Sequence, residues 1–326
     1  MTVRVPDYFC KFRCIQGECQ DSCCVGWEIA TDDEAKEKYA AVSGEIGREI
    51  AEKTRHGYFP LDENGRCAFL TGDGLCRIIT SLGESFLCDI CREHPRYYGV
   101  GVDGIEGGLG ISCEAAARII LATGGKVAFT YTDRYVKYFS EDGFAELSDI
   151  IREHIYSKIR EYDALTLIAY LTDLAPIADG IAFDTVAGLS VGGIPEVKIV
   201  SAQEKISDML SRFLDMLSEC EALGGEWQDV IKRARDMRNA APLSYENEIK
   251  SLLFYFTHRY VRECVEDLSI GQRILLAVLS SLSVIAISTV MDCEEKTVRA
   301  AVLFSKNIEY STDNIDALLE QLSDFL

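Results

Sequence analysis

A chain of 326 residues, 48% apolar and 26% charged, can bury one large core or two medium ones, and its composition is that of a soluble globular protein. Its 33 basic and 53 acidic residues leave a net charge of −20, a field that repels phosphate backbones and argues against a nucleic-acid partner. Thirteen cysteines, an odd number, do not suit a complete disulfide framework.

The opening "MTVRVPDYFCKFRC" has neither a continuous apolar stretch nor a small-residue cleavage site, so no secretory leader and a cytoplasmic location are expected. Thr31 or Asp32 is placed to cap one helix through "DEAKEKYAAVSGEIGREIAEKT", whose first turn is acidic. In "CAFLTGDGLCRII" the central Gly-Asp-Gly predicts a tight turn that brings Cys67 and Cys76 toward each other. "CDICREHPR" follows, then the glycine-rich "GVGVDGIEGGLGISC", and a helix is predicted from near Ser112.

Beyond Leu147 apolar residues recur at three- and four-residue steps, predicting helix up to Pro176. A glycine-punctuated linker, "VAGLSVGGIPEVKIV", precedes amphipathic helices over 201–222, 227–238, 245–266, 270–291 and 293–306. A last helix is capped around Thr312 to Asn314. Ile274 to Met291 is uncharged, but its serines are spread around the helix, one flank is basic and the other acidic. It reads as a buried core helix rather than a membrane span, so no membrane partner is expected. The predicted fold class is mostly α: a cysteine-rich, loop-heavy head (1–125) with a metal or cluster site, packed as one unit with a helical body (126–326).

Ten of the cysteines fall within the first 113 residues; Cys220, Cys264 and Cys293 stand singly in helical patterns and read as small buried apolar residues. A thioredoxin-type dithiol at "CDIC" wants a preceding strand and a βαβ frame, and "ITSLGESFL" does not supply one. Haem attachment needs histidine directly after the second cysteine, where Arg92 stands. Gly99, Gly101 and Gly104 match G-x-G-x-x-G, yet "HPRYY" is a poor buried strand and the helix opens too late for a dinucleotide loop. No C-x3-C-x2-C triplet of radical chemistry is present. The remaining reading is a thiolate metal site built from Cys19-x3-Cys23-Cys24, Cys67-x8-Cys76 and Cys88-x2-Cys91, with zinc and iron–sulfur left open by the spacing.

"FRCIQGECQDSCCVGWEI", "CAFLTGDGLCRIITSLGESFLCDICREHPRYY" and "EGGLGISCEAAARIIL" resemble the N-terminal blocks of the flagellin lysine-N-methylases, and "ENEIKSLLFYFTHRYVRE" and "KNIEYSTDNIDALLEQL" are similar to later blocks. The resemblance implies transfer of methyl from S-adenosylmethionine (SAM) to lysine amines of flagellin or another lysine-bearing protein, with a [4Fe–4S] cluster in the enzyme. A wider cysteine-cluster family of zinc- or iron-chelating proteins resembles only the core, so the alternative is a non-catalytic metal-binding protein. The ligand candidates so implied are Cys19, Cys23, Cys24, Cys67, Cys76 and Cys88, then Cys14, Cys91 and Cys113; Cys10 fits no block.

Methylation needs a neutral amine. At its reference pKa of about 10.4, lysine is neutral in about 0.04% of molecules at pH 7, a deficit of about 4.6 kcal/mol to be supplied by desolvation or a general base. Glu93, His94, Tyr97 and Tyr98 are the candidate proton acceptors near the cysteines. Arg96 suits a carboxylate of the donor, Trp27 can stack on its adenine, and Gly107 and Gly108 allow close backbone approach. Each has a structural alternative: Tyr97, Tyr98 and Trp27 as packing residues, His94 in a turn-fixing hydrogen bond, Arg96 in an ion pair.

Overall fold

A computed structural model describes residues 2–102, 104–134, 145–186, 193–236, 245–265 and 269–326. In chain order the regular elements are β1 (Thr2–Pro6), β2 (Ile29–Ala30), α1 (Asp33–Ala40), α2 (Gly44–Lys53), β3 (Tyr58–Phe59), α3 (Arg77–Leu82), α4 (Asp89–Glu93), β4 (Arg96–Gly101), β5 (Gly104–Leu109), α5 (Glu114–Leu121) and β6 (Phe129–Asp133). The helices α6 (Ala145–Glu161), α7 (Ala164–Val186), α8 (Gln203–Glu219), α9 (Gly225–Asp236), α10 (Glu246–Tyr260), α11 (Ile270–Val290), α12 (Lys296–Phe304) and α13 (Thr312–Leu322) follow. The molecule is mostly α, as predicted. Two compact units are formed, one from Phe12–Tyr97 with Leu109–Ala116, the other from Met1–Lys11, Tyr98–Gly108 and Ala117–Leu326.

The larger unit is organised around α11, against which α7, α8, α9, α10, α12 and α13 all pack. α11 is largely apolar, and two of its buried serines turn back on the helix, Ser281 donating to the Ala277 carbonyl at 2.7 Å and Ser288 to that of Ile285 at 2.7 Å, while the buried Ser280 and Ser283 hydroxyls have no such partner. Two helical stretches, Ala164–Phe183 and Ile270–Val290, are long and apolar enough to cross a membrane by length and composition; 83% of the second lies buried inside the protein and 56% of the first. Helix α7 runs through Pro176 instead of stopping there, and the break falls earlier, where the Asp163 carboxylate accepts the Thr166 N–H at 3.0 Å. Part of the predicted linker, 187–192, and the predicted helix ends at 238 and 266 lie outside the described residues.

A four-stranded sheet in the order β4–β5–β1–β6 belongs mainly to this unit and was not expected from the glycine-rich sequence. β1 is parallel to β5 and antiparallel to β6, with Val3 and Val5 fully buried on alternate positions. The parallel register sets Arg4 opposite Glu106, and they pair at 2.5 Å. The second oxygen of Glu106 takes the fully buried Arg152 at 2.6 Å.

In the smaller unit the single predicted helix is two. Asp32 caps α1 by accepting the Ala35 N–H at 2.9 Å, and the chain breaks before α2 at Ser43–Gly44, where Gly44 has φ +84°. Its core joins Ile29, Tyr39, Ile50, Phe59, Phe69 and Ile78 with the buried Cys67 and Cys88, while Cys24, Cys76 and Cys91 pack against it.

Candidate thiol-lined site

Short turns, rather than long elements, bring the cysteines together. Residues 24–26 pair with 65–67 through Cys67 N–H to the Cys24 carbonyl (2.8 Å) and Gly26 N–H to the Gly65 carbonyl (2.9 Å), which sets Cys24 beside Cys67. Cys76 follows the predicted turn: Thr71 N–H donates to the Leu75 carbonyl at 2.9 Å, Gly74 takes φ +78°, and Leu70 bridges Cys76. The loop carrying Cys14 and Cys19 rests on that turn through glycine against glycine. A Cβ on Gly17 would lie 2.9 Å from the Asp73 carbonyl oxygen, and one on Gly74 would lie 3.3 Å from the Gly17 Cα. Buried Glu114 accepts the Gln20 N–H at 2.8 Å, holding the same loop to the start of α5 next to Cys113. Asp32 accepts the Asp89 N–H at 2.7 Å with its second oxygen, tying the Cys88–Cys91 helix to α1.

These segments enclose a cavity of about 330 Å³ lying wholly within the smaller unit. Cys14, Cys19, Cys23, Cys24, Cys76, Cys91 and Cys113 line it, with Cys67 and Cys88 buried in the core beside it. The twelve cysteines other than Cys264 are free thiols. The sulfurs sense one another. Cys23 and Cys24 hydrogen-bond, which together with burial raises the Cys23 pKa. The hydrogen bond between Cys91 and Cys88 lowers the Cys88 pKa and, together with burial, raises that of Cys91. Burial pushes Cys67 up to about 11 and raises Cys76 and Cys113. Against burial, the amides of Ile78 and Ile79 act on Cys76, and those of Ala115 and Ala116 on Cys113, favouring their thiolates. At Cys76 and Cys88 no conventional cap hydrogen bond is closed, so this is a field of nearby N–H dipoles.

Several thiols set close together, each opposing the ionisation of the next, are the donor chemistry of a soft metal or an iron–sulfur group, because positive charge would relieve the cost of deprotonating several of them together. Among the described residues, no three His, Cys, Asp or Glu side chains stand where they could hold a single metal ion. Zinc at about 2.3 Å from four sulfurs needs them about 3.8 Å apart, and no such set stands among the described residues.

Of the other predicted residues, His94, Trp27 and Arg96 line the cavity. The Trp27 and His94 rings lie 5.9 Å apart, and Trp27 Nε1 donates to the Cys23 carbonyl at 2.7 Å. Arg96 sits over the Phe12 ring at 5.0 Å. Glu93 lies on α4 near Arg92 (3.7 Å), and neither it nor Tyr97 lines the cavity. Tyr98, Gly107 and Gly108 belong to the strands of the larger unit, where the Gly107 carbonyl meets buried His258 at 3.2 Å and Tyr98 packs on Phe9. Sequence reasoning missed Asp21, Glu84 and Glu114 in the lining. Only Glu114, directly after a cysteine at a helix start, carried a local signal.

The structure therefore defines a mostly helical protein with a thiol-lined cavity in a compact N-terminal unit. The chain is related to the lysine-N-methylases: it is 30% identical over 131 residues to proteins of that name from Salmonella typhimurium and Salmonella choleraesuis, a match covering 37% of this chain and 33% of theirs. It is also 29% identical over 155 residues to the flagellar biosynthetic protein FliU of Salmonella muenchen, covering 43% of this chain and 92% of that one. The matched stretch thus spans about a third of the length of the two lysine-N-methylases. No protein-family profile and no solved structure matches the chain.

Proposed function

We propose that the protein is a SAM-dependent protein lysine N-methyltransferase acting on flagellin or a similar lysine-bearing protein, with the thiol-lined cavity holding an iron–sulfur cluster beside the donor site. The observation that carries this reading is the coincidence of a lysine-N-methylase relationship with one cavity lined by seven cysteines together with Trp27, His94 and Arg96. Bound at Cys24, Cys76, Cys91 and their neighbours, the cluster would offer an iron to the amino and carboxylate groups at the donor's polar end.

The chain's own residues have separate tasks. Arg96 pairs with the donor carboxylate, and Trp27 offers a ring face to its adenine. Asp21, Glu84 and Glu114 attract the incoming lysine ammonium, and His94 accepts its proton, leaving the nitrogen lone pair to attack. The C–N bond then forms in line as the methyl–sulfur bond breaks, and the electron pair leaves with the neutral thioether. The alternative, a non-catalytic metal-binding protein, shares the cavity but transfers no methyl.

Anaerobic protein tests the proposal through iron and sulfide content and the visible spectrum with and without SAM. Stoichiometric iron and sulfide with a spectrum that responds to the donor is expected. Colourless protein holding stoichiometric zinc would overturn the cluster.

A further inference from the structure

Within the larger unit, α6 and α7 build a small aromatic box. His154, Lys158 and Tyr162 are spaced four apart, so they stand above one another on one face of α6 and at its end. A two-residue turn follows, and α7 folds back so that Tyr170 meets His154: the histidine Nε2 and the tyrosine hydroxyl hydrogen-bond at 2.5 Å. The Tyr162 and Tyr170 rings meet edge to face, 5.3 Å apart at 63°. The Lys158 ammonium sits over both, 5.1 Å from the Tyr162 centroid and 5.8 Å from that of Tyr170, and donates to Glu161 at 2.7 Å. Burial, then the Lys158 charge, lowers the His154 pKa, so this third ring, 5.9 Å from Tyr170, adds no charge of its own. The wall is held from outside. Lys250 on α10 donates to the Tyr162 carbonyl at 2.8 Å, and Glu246 accepts the Ala164 N–H at 2.8 Å, so neither bond depends on Lys158.

Two perpendicular tyrosines and a carboxylate around one cation are the chemistry that recognises methylated ammonium groups, whose charge suits the ring faces and whose weak hydration is easily stripped. Lys158 marks where such a cation sits, and it is only loosely retained. Its side chain is 21% exposed and that of Glu161 54%, so their ion pair stands in water over Tyr170, which is 3% exposed. We infer that this box is a further binding site, taking the methylated ammonium of a modified lysine, with Lys158 as the occupant that leaves to admit it. That the ligand is a methyllysine of the protein's own acceptor rests on the proposed methyltransferase activity; the site would hold an acceptor that has already been modified.

Lys158→Ala vacates the box by removing a partly exposed side chain, so the full chain and this variant are titrated by calorimetry with a short peptide bearing one Nε-trimethyllysine. The variant should bind this peptide about tenfold more tightly than the wild type does, and should bind the unmethylated peptide about tenfold or more weakly than the methylated one. Adding Tyr162→Leu to Lys158→Ala should abolish the preference while the helical circular dichroism signal persists. Tetramethylammonium should compete with the methylated peptide only at higher concentration; competition at equal or lower concentration identifies a site for a free quaternary ammonium and overturns the lysine assignment. A Lys158→Ala variant that binds both peptides alike, or whose preference survives Tyr162→Leu, overturns the inference whether or not the protein transfers methyl. Preferential binding of the methylated peptide by protein that transfers methyl to no acceptor overturns the proposed activity and supports the box.

Discussion

Glu106→Gln should unfold the larger unit far more easily than an ordinary surface change, and it should erase a pH dependence. Glu106 is nearly buried between Arg4 at 2.5 Å and fully buried Arg152 at 2.6 Å. Burial alone would raise its pKa, but the Arg152 charge, then His258 and the hydrogen bonds from Arg152 and Arg4, outweigh it and hold the carboxyl at about 2, against an ordinary value of 4.5. A depression of about 2.5 units corresponds to about 3 kcal/mol of folding stability. Since the folded-state pKa is the lower one, that stability is fully present above about pH 4.5 and is lost as pH falls from there toward 2. Glutamine keeps the shape but leaves Arg152 with only Asp149 as an ionic partner, so a loss of about 3–5 kcal/mol is expected at pH 7. Urea titrations of both proteins between pH 3 and 7 measure it. The wild-type midpoint should fall on acidification more steeply than the variant's, with the two curves converging. A loss under about 1 kcal/mol at pH 7, or parallel curves, would refute the account of this triad.

Three further outcomes concern the thiol-bearing unit. Asp32→Ala removes the α1 cap and the tie to α4, and should cost about 2–3 kcal/mol in denaturant titration, with faster amide exchange at Ala35 and Asp89. Gly74→Ala forces a side chain onto a φ of +78° and to 3.3 Å from Gly17, so metal uptake should fall while the helical circular dichroism signal persists. Cys24→Ser and Cys76→Ser should each lower bound iron and sulfide, whereas Cys220→Ser, at the end of α8 in the other unit, should leave both unchanged.

The helical body was legible because α8 to α13 repeat apolar residues at helical spacing, and α11 is so largely apolar that only a core could hold it. Proline was misleading at 176, where α7 continues, since tertiary packing overrides a local stop signal. Ser43–Gly44 carried a readable break that the strong helical composition on either side masked. The sheet was harder to see. β1 shows buried Val3 and Val5 at alternate positions, but β4 and β5 are glycine-rich, and their pairing depends on a strand about a hundred residues away. At the site, the Gly-Asp-Gly turn ahead of Cys76 was readable: Thr71 N–H closes on the Leu75 carbonyl and Leu70 bridges Cys76. That Cys14, Cys19 and Cys113 join them depends on Gly17 meeting Gly74 and on Glu114 holding the Gln20 amide, contacts that no local spacing encodes. Among the polar candidates, His94 and Arg96 share the cavity while Tyr98 lies in the other unit, because β4 carries the chain from one to the other.

Methyl transfer from isotopically labelled SAM to a flagellin, by anaerobically prepared protein of known iron and sulfide content, tests the central claim most directly. The account predicts label on lysine ε-amines after hydrolysis of the acceptor, a rate about 100-fold lower or less in His94→Ala at unchanged metal content, and loss of transfer in Cys24→Ser. Loaded protein that labels neither flagellin nor any other lysine-bearing acceptor, or transfer undiminished by both variants, would contradict it.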